Sequence, residues 1–264
     1  MRALIKLGGT LLDTPELRAR LAAQIAVLCK RGVEITVVHG GGKQMTRFLA
    51  ERGIESRFVN GLRVTTPETM DAVLKVLAGS VNRQLVSELI SAGVRAVGLS
   101  GIDASLVEAE QMDPELGQVG RVTRTNPELL NALLAHHYVP VVACVAGSRS
   151  GRMYNVNADQ MAAACAAGWR ADRLIFLTDI AGVLDGSGAV QPSLTAEECQ
   201  GLIASGIAKG GMQAKLDAAT AALEQGVGQV EIAPGAMAGI LERLFDGERV
   251  GTQIVRSCKR VTHS

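Results

Sequence analysis

Short apolar runs alternate along the chain with longer segments in which apolar positions recur at helical spacing. The runs typical of buried strands lie at 3–7, 33–38, 94–99, 139–145, 172–177, 228–232 and 252–255. Between the first two runs, the apolar positions of one helical face are Leu17, Leu21, Ile25 and Leu28. Repeated strand–helix units predict an α/β protein with a mostly parallel sheet that is covered on both faces.

Turn and cap residues refine this pattern. An Asn-Gly pair at 60–61 predicts a hairpin, and a second hairpin is predicted within 106–124. Pro67 suits the first position of a helix, which the apolar pattern extends to about residue 91 with an interruption near Gly79. Asn157 has the side chain and the position to cap a later helix.

Composition indicates a globular protein with a large core. The 264 residues are 47% hydrophobic and 20% charged, which excludes intrinsic disorder. This length predicts one large α/β domain or two closely joined lobes. Lys and Arg total 27 against 26 Asp and Glu, and aromatic residues make up only 3%. Nucleic-acid binding is therefore not expected, because the chain lacks both a basic excess and a stacking platform.

Signals for export or membrane insertion are also missing from the sequence. No apolar run is long enough to span a membrane, and no signal-peptide pattern precedes Lys6. The cysteines, which are odd in number and without metal-clip spacing, are Cys29, Cys144, Cys165, Cys199 and Cys258. We therefore expect a reduced, cytoplasmic protein that does not bind membranes.

Unusual residues concentrate where the predicted strands end, which is the edge at which parallel α/β sheets bind ligands. Lys6 lies within the first apolar run and is soon followed by Gly8 and Gly9. A lysine in apolar surroundings is costly unless an anion meets it. The glycines allow backbone N–H groups to approach a ligand closely. An edge-strand lysine before a tight turn is the alternative interpretation.

A second glycine turn, formed by Gly40, Gly41 and Gly42, lies between an apolar strand and a helix. Free N–H groups and the positive end of a helix favour anion binding there. The spacing matches neither the dinucleotide-binding fingerprint nor the P-loop, so it indicates phosphate or carboxylate binding without naming a nucleotide-binding family. A purely structural turn is the alternative. We interpret His39 as a packing or hydrogen-bonding residue rather than as a base.

Further polar residues complete the set of candidates. Arg63 lies in an otherwise apolar segment, where its planar fork suits a carboxylate, although a surface arginine explains it equally. Asn157 and Asp159 fit a helix cap and a first-turn acid. Asn155 is left unexplained and shares a strand face with Asn157. Lys215 follows a third glycine pair near a helix start, and a solvated helix lysine is its alternative.

Together these features favour one class of reaction. Two lysines, glycine-rich turns and one acid at strand–helix junctions suit phosphoryl transfer, in which catalysis is mostly positioning and charge neutralisation. The sequence contains neither the histidine cluster of a metal hydrolase nor the nucleophile elbow of a Ser-His-Asp hydrolase.

At these residues the chain resembles the amino-acid kinase family over nearly its whole length. The segments that carry the resemblance are Ile5-Lys6-Leu7-Gly8-Gly9, Val38-His39-Gly40-Gly41-Gly42, Asn60-Gly61-Leu62-Arg63-Val64-Thr65, Tyr138-Val139-Pro140-Val141, Asn155-Val156-Asn157-Ala158-Asp159, Gly211-Met212 with Lys215, and Gly251-Thr252. The resemblance implies a three-layer αβα sandwich. It also implies an N-terminal lobe over 1–170 that binds an acyl amino acid and forms a dimer, and a C-terminal lobe over 171–264 that binds ATP.

The activity that the resemblance implies is transfer of the γ-phosphoryl group of ATP to the γ-carboxylate of N-acetyl-L-glutamate, the second step of arginine biosynthesis. Lys6 and Lys215 would neutralise the transferring group from two sides, and Asp159 would hold both lysines. The backbone groups implied to bind phosphoryl oxygens belong to Gly8, Gly9 and Gly41. The residues implied to bind the acyl amino acid are Gly41, Gly42, Arg63 and Asn155.

The resemblance also implies a nucleotide site and its metal. The residues that would surround ATP are Asp179, Ile180, Ala181, Gly182, Val183, Leu184, Ile207, Ala208 and Lys209. Mg²⁺ would be held mainly by ATP, and no residue of the chain is expected to be a metal ligand.

Two alternatives stay open from the sequence. A sister kinase that acts on another carboxylate, such as a carrier-linked aminoadipate, would share these motifs, although Arg63 and Asn155 favour a substrate with a free α-carboxylate. A non-catalytic nucleotide or amino-acid sensor would keep the fold, but the intact Lys6, Asp159 and Lys215 argue against it. The first strand is predicted from about residue 3, without the preceding helix of arginine-inhibited relatives. We therefore expect a homodimer that arginine inhibits weakly or not at all.

Overall fold

The seven apolar runs contribute strands to an eight-stranded sheet in a computed structural model, which describes residues 1–256. The eighth strand, Ser193–Thr195, was not predicted from an apolar run. The described strands are β1 (Arg2–Leu7), β2 (Glu34–His39), β3 (Phe58–Val59), β4 (Leu62–Arg63), β5 (Ala96–Ser100), β6 (Val107–Gln111), β7 (Gly120–Thr125), β8 (Val139–Ala143), β9 (Val145–Gly147), β10 (Met153–Asn155), β11 (Arg173–Thr178), β12 (Ser193–Thr195), β13 (Gln229–Pro234) and β14 (Thr252–Val255). Cys258 and the other residues of 257–264 lie outside the described residues.

Helices connect most of these strands and cover the sheet. The described helices are α1 (Pro15–Lys30), α2 (Gly42–Ala50), α3 (Pro67–Val73), α4 (Asn82–Ser91), α5 (Glu128–Ala135), α6 (Ala158–Trp169), α7 (Ala196–Ala204), α8 (Gly211–Glu224) and α9 (Ile240–Phe245). Helix α1 packs with α4 and α9, whereas α6 packs with α8, which also contacts α7. None of the helices in the described part of the chain is long and apolar enough to cross a membrane.

The sheet has the strand order β12-β14-β13-β11-β1-β2-β8-β5. All neighbouring pairs are parallel except β13 and β14. The predicted α/β class with a mostly parallel sheet is therefore confirmed. Strand β1 lies between β11 and β2, so that Lys6 is in register with Phe176 on one side and Val38 on the other. The carboxyl ends of β1, β2 and β11 consequently meet at one edge, at the middle of the sheet.

The predicted hairpins are present, and one of them belongs to a second sheet. Strands β3 and β4 pair around Asn60 and Gly61, whose φ angles of 49° and 79° are those of the turn that favours an Asn-Gly pair. Strands β6 and β7 pair as the other hairpin and are joined by β9 and β10 in the order β10-β9-β6-β7. No sequence pattern predicted β10, which ends at Asn155.

The predicted interruption near Gly79 is wrong. The backbone stays helical from α3 to α4 through a wider π-helical stretch, Leu74–Val81. Such a stretch keeps the N–H groups paired with carbonyls five residues back, so that the helix accommodates an extra residue without breaking. Its side chains Leu77 and Val81 are buried and lie against the second glycine turn.

A buried ion pair links the strands on the C-terminal side of the sheet. Arg173 on β11 donates from Nε to Oε2 of Glu231 at 3.0 Å and from Nη2 to Oε1 at 2.6 Å. The guanidinium also donates to the carbonyl oxygen of Leu244 at 3.1 Å and stacks on the ring of Phe245. Both charged side chains are buried, so each depends on the other for its polar partners.

We expect Glu231→Leu to lower the free energy of unfolding by about 3–5 kcal/mol, because the substitution leaves the guanidinium of Arg173 buried and unpaired. The double variant Arg173→Met with Glu231→Leu should recover most of that loss, since it removes both charges. Urea unfolding followed by circular dichroism measures both. Equal losses in the single and double variants would show that this explanation is wrong.

Candidate active site

Lys6 and Lys215 converge on the carboxylate of Asp159. The Nζ atom of Lys6 lies 2.8 Å from Oδ1 of Asp159, and the Nζ atom of Lys215 lies 2.9 Å from Oδ2. The three residues are only 7%, 7% and 6% exposed. The interpretations of Lys6 as an edge-strand lysine and of Lys215 as a solvated helix lysine are therefore wrong.

Three elements that are distant in sequence build this cluster. Lys6 is on the central strand β1, Asp159 is in the first turn of α6, and Lys215 is near the start of α8. Asn157 caps α6, as predicted, because its Oδ1 accepts from the N–H groups of Asp159 at 2.9 Å and Gln160 at 3.2 Å. Since α6 packs against α8, the cap also fixes the carboxylate relative to Lys215.

The cluster carries one uncompensated positive charge away from water. Burial by itself would raise the pKa of Asp159, but the charges of Lys6 and Lys215 and their hydrogen bonds hold that pKa below its usual value. Burial, reinforced by the charge of Lys6, lowers the pKa of Lys215 in spite of Asp159. The ring of Phe176, 5.4 Å from Nζ of Lys215, adds a favourable face for the ammonium group. A buried site with this excess charge favours an anion.

The two glycine turns are in contact beside the cluster. A Cβ on Gly9 would lie 3.2 Å from the nitrogen of Gly42 and 3.3 Å from that of Gly41, and a Cβ on Gly41 would lie 2.4 Å from Cδ2 of Leu77. A side chain at Gly9 would therefore require the backbone of the second turn to shift by a few tenths of an ångström, and one at Gly41 would have to displace the end of the Leu77 side chain. The N–H of Gly8 donates to the carbonyl oxygen of Leu177 at 3.0 Å, so the predicted phosphoryl contact of Gly8 is not available in this conformation.

A cavity of about 240 Å³ opens from these turns. The candidate residues that line it are Lys6, Gly9, Gly41, Gly42, Arg63, Asn155 and Asp159. The structure thus brings the N-terminal candidates together, with Arg63 and Asn155 placed away from the central sheet and Lys6 at its edge.

Neutral groups hold the guanidinium of Arg63 in place. Its Nη2 donates to Oγ1 of Thr46 at 2.8 Å and to the carbonyl oxygen of Gly42 at 3.2 Å, while Nη1 donates to Oγ of Ser56. The ring of Phe58 lies 4.6 Å beneath the guanidinium. Sequence reasoning missed Thr46 and Ser56, because only the tertiary fold brings them to Arg63.

Thr65 connects the two predicted substrate-binding residues. Its hydroxyl donates to the carbonyl oxygen of Arg63 at 2.8 Å and accepts from Nδ2 of Asn155 at 3.1 Å. Because the single hydroxyl proton is committed to Arg63, the group facing Thr65 must be the NH₂ of Asn155. Sequence reasoning singled out Thr65 only as part of a motif, without this role.

The predicted nucleotide residues lie in loops on the C-terminal side of the cluster. The charge of Asp179 raises the pKa of Lys215, although the larger effect of burial lowers that pKa overall. Val183 is anchored by its N–H to Oγ1 of Thr252 at 2.8 Å. The large apolar side chains among these candidates that are exposed are Ile180, Leu184 and Ile207. None of these candidates lines the cavity around Arg63.

Two named relatives are similar to the chain over nearly its whole length. Acetylglutamate kinase from Solibacter usitatus is 66% identical over 255 residues, which cover 97% of this chain and 99% of the relative. Acetylglutamate kinase from Koribacter versatilis is 43% identical over 258 residues, again covering 97% of this chain and 99% of the relative.

Solved structures share the fold. A protein from Streptococcus mutans UA159 has a TM-score of 0.84 and 31% identity, covering 96% of this chain and 98% of its own. N-acetylglutamate synthase from Neisseria gonorrhoeae, solved with coenzyme A and N-acetyl-glutamate, has a TM-score of 0.86 and 26% identity. The alignment covers 97% of this chain and 60% of the synthase. Residues 1–234 match the model of the amino acid kinase family, and the chain therefore belongs to that family.

Proposed function

We propose that this protein transfers the γ-phosphoryl group of ATP to the γ-carboxylate of N-acetyl-L-glutamate and forms N-acetylglutamyl 5-phosphate, the second step of arginine biosynthesis. The observation that carries the proposal is the convergence of Lys6 and Lys215 on Asp159 beside a cavity that contains Arg63 and Asn155. The 66% identity to a relative named acetylglutamate kinase supports the choice of substrate.

The lysines supply charge neutralisation. Each ammonium group has three hydrogens. Lys215 donates one of them to Asp159, and Lys6 forms an ion pair with the same carboxylate at 2.8 Å, so both lysines keep donors for phosphoryl oxygens. The acceptor carboxylate is already ionised at neutral pH, so the reaction needs no general base. What the protein contributes is the in-line placement of two anions and the positive charge that offsets their repulsion.

The two substrates approach from opposite sides of the cluster. N-acetyl-L-glutamate occupies the cavity of the N-terminal lobe (1–170), where the guanidinium of Arg63 and the amide of Asn155 bind its α-carboxylate. ATP occupies the loops 179–184 and 207–209 of the C-terminal lobe, which begins at residue 171. The N–H groups of Gly9 and Gly41 then face oxygens of the transferring group.

The available donor groups indicate whether the protein or ATP would coordinate Mg²⁺. Residues 1–256 contain no group of three or more His, Cys, Asp and Glu side chains placed to hold a metal ion. Mg²⁺ coordinates readily through the oxygens of a polyphosphate, so we infer that it enters with ATP. Bound there, the ion would neutralise charge on the β- and γ-phosphates.

We also infer a cytoplasmic homodimer. The family resemblance supports this assembly, with the helical region 67–91 as the contact.

A comparison of three acids tests the proposed substrate. We expect ADP release and hydroxamate formation with N-acetyl-L-glutamate, and a kcat/KM at least about tenfold lower with glutamate and with N-acetylaminoadipate, since a misfit in a closed pocket costs on the order of 1–3 kcal/mol. Preference for N-acetylaminoadipate would favour the sister kinase. Inactivity with all three would favour a sensor.

Removal of either lysine should abolish most of the catalysis. We expect Lys6→Met and Lys215→Met each to lower kcat by about 100-fold or more, because each removes a charge directed at the transition state. Lys30→Met, at the exposed end of α1, is the matched control and should leave kcat unchanged. Melting temperatures of all variants separate lost activity from lost folding. Near-normal turnover in both buried-lysine variants would refute the mechanism.

The pH dependence of kcat should report the state of Lys215. Burial lowers its pKa and the charge of Asp159 opposes that lowering, so deprotonation of Lys215 should make kcat fall as the pH rises through that pKa. Asp159→Asn removes the opposing charge and should move this basic limb to lower pH. Asp71→Asn, at an exposed site, should leave the limb in place. An upward shift for Asp159→Asn would contradict this assignment.

A further inference from the structure

His39 and Asn82 are buried polar residues that the mechanism above does not use. Both are 0% exposed. Nδ2 of Asn82, on α4, lies 3.0 Å from Nε2 of His39 at the end of β2. Nδ1 of His39 lies 2.8 Å from the carbonyl oxygen of Gly40, the first residue of the second glycine turn. A continuous chain of hydrogen bonds therefore runs from α4 to the turn.

The partners determine which atoms in this chain carry hydrogen. Nδ2 of Asn82 is also 2.9 Å from the carbonyl oxygen of Val141 and 3.4 Å from that of Leu99, and because carbonyl oxygens only accept, this atom is the NH₂. Its two shortest contacts are those to Val141 and to Nε2 of His39. Nε2 of His39 must then accept. Nδ1 consequently carries the proton and donates to the carbonyl oxygen of Gly40, which can only accept. Oδ1 of Asn82 is buried and has no hydrogen-bond partner among the described residues.

The same surroundings keep the imidazole neutral. A second proton on Nε2 would face the NH₂ of Asn82, so that two donors would meet without an acceptor. Burial lowers the pKa of His39 to about 4; the carbonyl of Gly40 opposes this shift and the charge of Arg83 adds to it. The ring therefore keeps one tautomer throughout the physiological pH range.

The hydrogen bond to Gly40 determines where the next N–H points. A trans peptide is planar, with its C=O and N–H directed to opposite sides, and none of the described peptide bonds is cis. Because His39 holds the carbonyl of Gly40 on the buried side, the N–H of Gly41 points the other way. Gly41 lines the cavity with Lys6 and Asp159.

Without such a tether this peptide would rotate easily. Neither Gly40 nor Gly41 has a Cβ, and glycine loses more conformational freedom on ordering than any other residue. A rotated peptide would direct the carbonyl oxygen of Gly40, instead of an N–H, towards the bound anion. Asn82 fits beside β5 because residue 98 is a glycine: a Cβ on Gly98 would lie 2.0 Å from Oδ1 of Asn82.

We propose that His39 and Asn82 are positioning residues that lock the Gly40–Gly41 peptide with its N–H facing the transferred phosphoryl group. The proposal rests on the proposed kinase function. Since the N–H would act on charge that develops during transfer, its loss should lower kcat and leave the KM values of both substrates nearly unchanged.

Two substitutions of His39 test the role of its Nδ1 donor. His39→Leu removes the donor, and we expect kcat to fall by about 10–100-fold with KM values within about threefold. His39→Asn presents an amide NH₂ where Nδ1 stood and should restore kcat to within about fivefold of the unmutated protein. Thr36→Val is the matched control, because its buried hydroxyl, also on β2, has no hydrogen-bond partner among the described residues.

The results distinguish positioning from simple support of the fold. A loss that follows the melting temperature, a loss confined to KM, or an Asn variant no better than the Leu variant would overturn the proposal. Inactivity of the unmutated protein would overturn the proposed function instead.

An independent readout needs no activity. In the full chain labelled with ¹⁵N-histidine, the resonances of His39 are those that disappear in His39→Asn. They should show a protonated Nδ1 and an unprotonated Nε2 from about pH 5.5 to about pH 8.5, a range in which an ordinary histidine, with a pKa of about 6.5, changes its protonation state. A proton on Nε2, or titration of the ring in this range, would overturn the proposal even if the protein phosphorylates N-acetyl-L-glutamate.

Discussion

The shared carboxylate of Asp159 is the interaction on which the site depends. Two ammonium groups this close repel each other, and each would be costly to bury alone. One carboxylate with an oxygen for each lysine offsets part of that cost and leaves one positive charge unbalanced. The partners come from β1, α6 and α8, so the charge arrangement exists only when both halves of the chain are folded together. Stability and affinity for an anion therefore depend on the same few atoms.

The local parts of this architecture could be predicted from the sequence. Apolar runs located the strands of the main sheet except β12, and the Asn-Gly pair at 60–61 located a hairpin because its turn requires positive φ angles. Asn157 was predicted as a cap from its neighbours alone. The error near Gly79 has a local cause as well: one glycine weakens a helix, but pairing five residues apart keeps it continuous.

The parts that could not be predicted depend on tertiary structure. Whether Lys6 is exposed or buried depends on the position of β1 in the sheet. The residues of β1 do not by themselves indicate that β11 and β2 lie on either side of it. The N–H of Gly8 was assigned to a ligand, yet it belongs to Leu177 on a strand far away in sequence. The partners that orient Arg63 likewise come from separate elements. Roles that rest on family resemblance, such as those of the nucleotide loops, stay predictions.

The contact between the two glycine turns has a consequence for how this protein can change over generations. A Cβ at Gly9 would lie only 3.2 Å from the nitrogen of Gly42 and 3.3 Å from that of Gly41, so a side chain in the first turn would require the second turn to shift. A mutation tolerated in one turn must be compatible with the backbone path of the other. The two segments should therefore diverge together among descendants of this sequence, as a single inherited unit, although about thirty positions separate them along the chain.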